Sequence, residues 1–139
     1  LTWVDTNLLL DIAHAQPGWA DWSRDRMAEA AARGPLRIND IVYAEVSASF
    51  GRPAELDAFL GLLGIVVGRS PPEALVLAAR THLAYRRRGG QRSGVLPDFF
   101  IGADAAVGGG PLLTRDPRRY RTDFPDLILI APDTGRQTS

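Results

Sequence analysis

Cysteine is absent from this 139-residue chain, which excludes disulfides and thiolate metal centres. Lysine is absent as well. All 16 basic residues are arginine, 16 acidic residues match them, and the formal net charge at pH 7 is zero. A chain so balanced does not coat nucleic acid through a general basic field. Long apolar runs are missing too: the longest, Phe59 to Val67, is interrupted by Gly61 and Gly64 and is far too short to span a bilayer. No charged segment followed by an apolar one opens the chain, so no secretory signal is expected and cytoplasm is the expected location. Repeats and low-complexity tracts are lacking. What is present is 45% hydrophobic, enough for one compact domain with its own core. The expectation is a single domain over residues 1–131 and a polar tail over residues 132–139.

The arginines are unevenly spread. Arg80, Arg86, Arg87, Arg88 and Arg92 form one cluster, Arg115, Arg118, Arg119 and Arg121 another, and no acidic residue lies between Ala74 and Pro97. Guanidinium groups suit phosphate, although an arginine-rich genome would produce the same usage.

Apolar periodicity and turn residues predict alternating strands and helices. Short strands are expected at 2–5, 36–38, 65–67, 112–114 and 127–130. Helices are expected around Leu8 to Ile12, from Trp19 to Arg33, from Asn39 or Asp40 to about Phe50, and from Pro53 to Leu63. A long helix should then run to Arg88 with Ser70 as its cap, followed by a basic loop from Gly89 to Leu96, a helix from Pro97 to Val107 and a turn from Pro117 to Tyr120. This alternation predicts an α/β fold, a three-layer αβα sandwich around a central parallel sheet of about five strands.

In such a sheet ligands gather outside the C-terminal ends of the strands. Asp5 stands where the first strand ends, and Asp116 follows the fourth. Asp98 lies in the first turn of a helix running antiparallel to the fourth strand, so it starts at the same edge. Glu45 is about one and a half turns into the helix leaving the second strand. Connectivity therefore directs all four carboxylates to one rim. Crowded carboxylates repel, and some would stay protonated at neutral pH. A divalent cation relieves this, and hard oxygen ligands match Mg²⁺, with Mn²⁺ as a substitute. Such a centre suits phosphodiester hydrolysis without histidine or serine.

Each carboxylate has a plainer reading. Asp5 suits an Asx turn, Asp98 a helix start, and Asp116 the residue before Pro117; only Glu45, in an apolar helix, is unexpected. The argument rests on all four falling in the right topological places. Asp104, six positions after Asp98, should point away from it and is read as a surface or interface charge. His14 and His82 fall within predicted helices rather than at strand ends, which favours ordinary packing or surface roles. Trp3, Trp19 and Trp22 are read as core, or as a groove for an amphipathic segment if exposed.

Together, Val4-Asp5-Thr6-Asn7, Glu45, the segment Pro97-Asp98-Phe99-Phe100-Ile101-Gly102-Ala103-Asp104-Ala105, and Leu113-Thr114-Arg115-Asp116 resemble the PIN-domain family, and within it the VapC-type toxins of toxin–antitoxin pairs. The pieces occur in the family's order and span nearly the whole chain. The resemblance implies an Mg²⁺- or Mn²⁺-dependent endoribonuclease acting on RNA such as tRNA or rRNA, a homodimer, and inhibition by a cognate VapB-like antitoxin. Asp5, Glu45, Asp98 and Asp116 take the acidic, metal-holding and catalytic positions. Asn7 and Thr114 match polar positions that support them, and Arg115, Arg118 and Arg119 are candidate RNA contacts. The alternatives are a PIN nuclease in RNA processing without an antitoxin, and a non-catalytic RNA- or protein-binding module on the same scaffold.

Overall fold

The computed structural model describes residues 1–91 and 96–132. The expected tail beyond residue 132, and the part of the basic loop containing Arg92, lie outside the described residues. Strands β1 (Thr2–Val4), β2 (Leu36–Ile38), β3 (Ile65–Val67), β4 (Leu112–Leu113) and β5 (Leu129–Ile130) alternate with helices α1 (Thr6–Ala13), α2 (Ala20–Arg33), α3 (Asp40–Ser47), α4 (Pro53–Leu62), α5 (Pro72–Arg87), α6 (Leu96–Gly108) and α7 (Arg118–Asp123). All strand pairs are parallel, in the order β3-β2-β1-β4-β5. Trp3 stands opposite Arg37 on one side and Leu112 on the other.

The expected three-layer sandwich is corrected by these dimensions. The parallel five-stranded sheet is present, but its strands are two or three residues long. Such strands offer one or two side chains to each face, too few to form the middle layer of a sandwich. The seven helices described carry most of the chain, and their contacts with one another, led by α5 against α6 and α1 against α2, supply much of the packing. The fold is therefore α/β with a narrow parallel spine in a helical body.

Val4, Leu8, Leu9, Leu36, Ile38, Val42, Val46, Phe99, Leu112 and Leu113 are buried to 1% exposure or less. At the centre of the sheet every residue of β1 and β4 is buried, whereas β2 buries Leu36 and Ile38 and leaves Arg37 half-buried between them. Gly102 lets α6 approach Phe124, since a Cβ there would stand 2.6 Å from the ring. Gly109, at φ +77°, turns the chain out of α6. Among the described residues no helix is long and apolar enough to cross a membrane.

The sheet order decides where a ligand can sit. From β1 the chain moves outward through β2 and β3, then returns to the other side of β1 with β4 and β5. The order reverses between β1 and β4, and the crevice outside the C-terminal ends of those two strands is the topological switch point.

Candidate active site

Asp5 follows β1 directly and is 5% exposed. Its backbone N–H donates to the Leu113 carbonyl at 2.9 Å, extending the β1–β4 ladder by one bond. Its side chain caps α1, Oδ1 accepting from the Thr6 N–H at 2.8 Å. Oδ2 accepts from the Thr114 hydroxyl at 2.8 Å and from the Tyr120 hydroxyl at 2.8 Å. Burial pushes this carboxyl above its ordinary range; the three hydrogen bonds oppose that, and the negative charge of Asp116 adds to it.

Glu45 lies in α3, whose start is set by Asn39: its Oδ1 accepts from the Val42 N–H at 2.8 Å. Glu45 Oε1 accepts from the Thr6 hydroxyl at 2.6 Å, so one threonine bridges it to the Asp5 cap. Burial raises its pKa too, with the charge of Asp5 contributing and the Thr6 bond opposing. Asp98, in the first turn of α6, faces Arg119, whose Nη1 stands 3.3 Å from Oδ2. Asp116 is exposed, and its N–H donates to Thr114 Oγ1 at 3.1 Å.

The four carboxylates, with Thr6, Asn7, Leu10, Arg119 and Tyr120, line one cavity of about 160 Å³ at the switch point. Their hard oxygen donors and the raised proton affinities of Asp5 and Glu45 fit a divalent cation chemically. The placement is looser than a ligand cage: among the described residues no three His, Asp or Glu side chains stand together closely enough to hold one ion as they are. Hydroxyls, an amide and a guanidinium take the positions around their oxygens instead.

The supporting positions divide. Thr114, fully buried, orients Asp5. Asn7 accepts from the Arg115 N–H at 3.3 Å, tying α1 to the loop that carries Asp116. Of the three candidate RNA arginines, Arg115 is turned the other way. Its guanidinium lies 3.1 Å from the buried carboxylate of Asp11 and 4.8 Å over the Trp19 ring, so it clamps that loop to α1 and α2. Arg118 is exposed, and Arg119 is nearly covered beside Asp98.

Asp104 is not the surface charge its spacing suggested. It is 1% exposed, and Oδ2 accepts from Asn39 Nδ2 and Ser70 Oγ, each at 2.7 Å. The side of α6 away from Asp98 meets the start of α3 and the approach to α5 rather than water, so a residue pointing there is enclosed. Ser70, expected to cap α5, is the donor in this contact, and Pro71 occupies the cap position. Trp3 is buried, while Trp19 and Trp22 are half-buried and meet edge to face. His14 is exposed and hydrogen-bonds Ser49, and His82 stands against Tyr85 and Phe99.

Two site residues escaped the sequence reading. Thr6 is marked in the sequence only by its place beside Asp5. Tyr120 is marked only by its place at the end of the expected turn that follows Asp116.

No family model and no curated protein matches this chain. Solved structures do. VapBC2 from Rickettsia felis, bound to a DNA fragment from its promoter, superposes with a TM-score of 0.70 at 16% identity, covering 94% of this chain and 97% of that one. DNA-bound VapBC from Salmonella typhimurium gives 0.67 at 16% identity, with 94% and 96% covered. A toxin-antitoxin complex from Klebsiella pneumoniae gives 0.59 at 20% identity, with the same coverages of 94% and 96%. At these identities the likeness is one of fold, and it is to chains of toxin–antitoxin complexes.

Proposed function

We propose that this chain is the ribonuclease of a toxin–antitoxin pair, a PIN-domain enzyme of VapC type that hydrolyses RNA phosphodiester bonds with Mg²⁺ or Mn²⁺. The observation that carries the reading is the gathering of Asp5, Glu45, Asp98 and Asp116, from four separate parts of the chain, around one cavity at the switch point of a parallel sheet. The fold likeness to chains of VapBC complexes supports it.

Asp5, Glu45, Asp98 and Asp116 would hold the cation, which when bound supplies charge neutralisation for the phosphoryl group under attack. The chain's own groups do the rest. Thr6, Thr114 and Tyr120 keep the Asp5 carboxylate in one orientation. The Thr6 hydroxyl ties Glu45 to the Asp5 cap and so fixes a second carboxylate on the cavity wall. Arg119 stands beside Asp98, where it can exchange a carboxylate partner for a phosphate oxygen. A cognate antitoxin and self-association as a homodimer belong to the same reading.

Its test is cleavage of a panel of tRNAs and rRNA fragments with and without Mg²⁺ or Mn²⁺, with Asp5→Asn and Asp98→Asn beside the unaltered chain. Metal-dependent cutting lost in both variants is the expected result. A folded chain that neither cuts RNA nor binds Mn²⁺ in calorimetry would instead be a binding module or the antitoxin member of such a pair.

A further inference from the structure

The acid cavity leaves a question of size. At about 160 Å³ it is small beside most ligand clefts. It suits a phosphoryl group and an ion, and leaves a nucleotide's sugar and base to extend beyond it. A second cavity of about 420 Å³ adjoins it, and the two share Asp116 and Arg119 as walls. Its volume falls within the range of about 300–1,000 Å³ found for ligand clefts. The remaining walls are Tyr85 and Arg88 near the end of α5, and Arg118, Thr122 and Asp123 on α7.

We propose that this second cavity binds the nucleotide adjoining the cleaved bond, with Arg118 and Arg119 taking its phosphate. The proposal rests on the nuclease reading and adds the place where the substrate is held.

The charges in the cavity are not equivalent. Arg88 is paired with the enclosed carboxylate of Asp123, so it is a wall rather than an available cation. Arg118 is exposed at the mouth. Arg119 is the informative one: its side chain is 8% exposed, one nitrogen stands 3.3 Å from Asp98, and its Nε is buried with no hydrogen-bond partner among the described residues. A buried guanidinium donor left unsatisfied is costly, and Arg119 lines both cavities, where a phosphate oxygen can approach its guanidinium. The Arg88 and Arg119 guanidinium groups lie 5.3 Å and 5.9 Å from the Tyr85 ring centre. This contact steadies both arginines over the cavity.

The test uses the full chain carrying Asp5→Asn, so that bound RNA stays uncut, with a fluorescein-labelled single-stranded RNA read by anisotropy over a range of salt. Arg118→Ala is the probe, because Arg118 is exposed and its loss leaves no buried carboxylate alone. Arg80→Ala, on α5 but outside this cavity, is the comparison. Arg118→Ala should weaken RNA binding several-fold and reduce the slope of log affinity against log salt by about 0.7, while Arg80→Ala changes little. In the chain without Asp5→Asn, Arg118→Ala should leave Mn²⁺ affinity unaltered in calorimetry.

Equal losses in the two arginine variants would overturn the subsite and leave a diffuse electrostatic effect. So would unaltered RNA affinity in Arg118→Ala, and if metal-dependent cleavage persists the nuclease reading stands without it. Absence of RNA binding overturns the subsite whatever else is seen, and only when the unaltered chain also fails to cut does the nuclease reading fall with it.

Discussion

Around Asp5, three donors from three parts of the chain converge on two oxygens: the Thr6 amide, the Thr114 hydroxyl and the Tyr120 hydroxyl. Tyr120→Phe removes one of them without altering the volume of a side chain that is 1% exposed. A buried hydrogen bond to a charged group is worth about 1.5–3 kcal/mol, and a loss near the lower figure is expected in urea unfolding, since Thr114 still donates. The Tyr120 bond lowers the Asp5 pKa, so its removal should let that carboxyl keep its proton to higher pH, read from the pH dependence of unfolding in the variant against the unaltered chain. Asp104 makes a separate prediction. Burial raises its pKa above the ordinary 3.8, with Asn39, Ser70 and Arg37 opposing. Between the unfolded value and the raised folded one, the folded state binds the proton more tightly. Stability from this group is therefore fully present below the ordinary value and is lost as pH rises through the folded one. Asp104→Asn removes that dependence, so the stability of the variant relative to the unaltered chain should improve between about pH 4 and about pH 7, measured by chemical unfolding at both.

At the scale of elements, α3 is fastened at its start by one side chain used twice. Asn39 Oδ1 caps the helix at Val42, while its Nδ2 donates to Asp104 on α6. It thus sets α3, which carries Glu45, against α6, which carries Asp98. Asn39→Ala loses the cap, about 0.5–2 kcal/mol, and leaves Asp104 with Ser70 alone among these donors, so thermal unfolding should show a larger loss than a cap accounts for. Asn39→Asp keeps a capping oxygen but sets a second carboxylate against Asp104. Its destabilisation should be greater at about pH 7 than at about pH 4, where the pair can hold a proton. Equal losses at the two pH values would mean that the contact matters only as packing.

For the whole molecule, the acidic cavity is a standing cost. Asp5 and Glu45 are both pushed toward protonation by burial and by neighbouring negative charge, and a bound cation would remove the repulsion. Mg²⁺ or Mn²⁺ should therefore raise the unfolding temperature, a ligand at a hundred times its Kd being worth about 2.7 kcal/mol. Asp5→Asn should shrink that rise, and chelator should abolish it in the unaltered chain. An unfolding temperature indifferent to both ions would count against the metal site.

Local pattern was enough for the order of elements. The strands observed at Leu36–Ile38 and Ile65–Val67 coincide with those expected, β1 and β4 end one residue earlier, and β5 begins at Leu129 rather than Leu127. Apolar runs, helix caps and glycine stops are written into neighbouring residues, so they can be read without knowing what packs on them. Each carboxylate could likewise be located at a strand exit or within the first turns of a helix. The tertiary structure decided the remainder. The short strands turned an expected sandwich into a helical body around a narrow sheet, because strand length depends on which partners continue the ladder. Asp104 became enclosed because α3 and the segment before α5 close over one side of α6, and Arg115 was drawn to Asp11 and Trp19 rather than toward the cavity. The bonds that orient Asp5 reach across 109 residues to Thr114 and 115 to Tyr120. Composition and periodicity say which groups are available, but only packing brings groups so far apart in the chain within reach of one another.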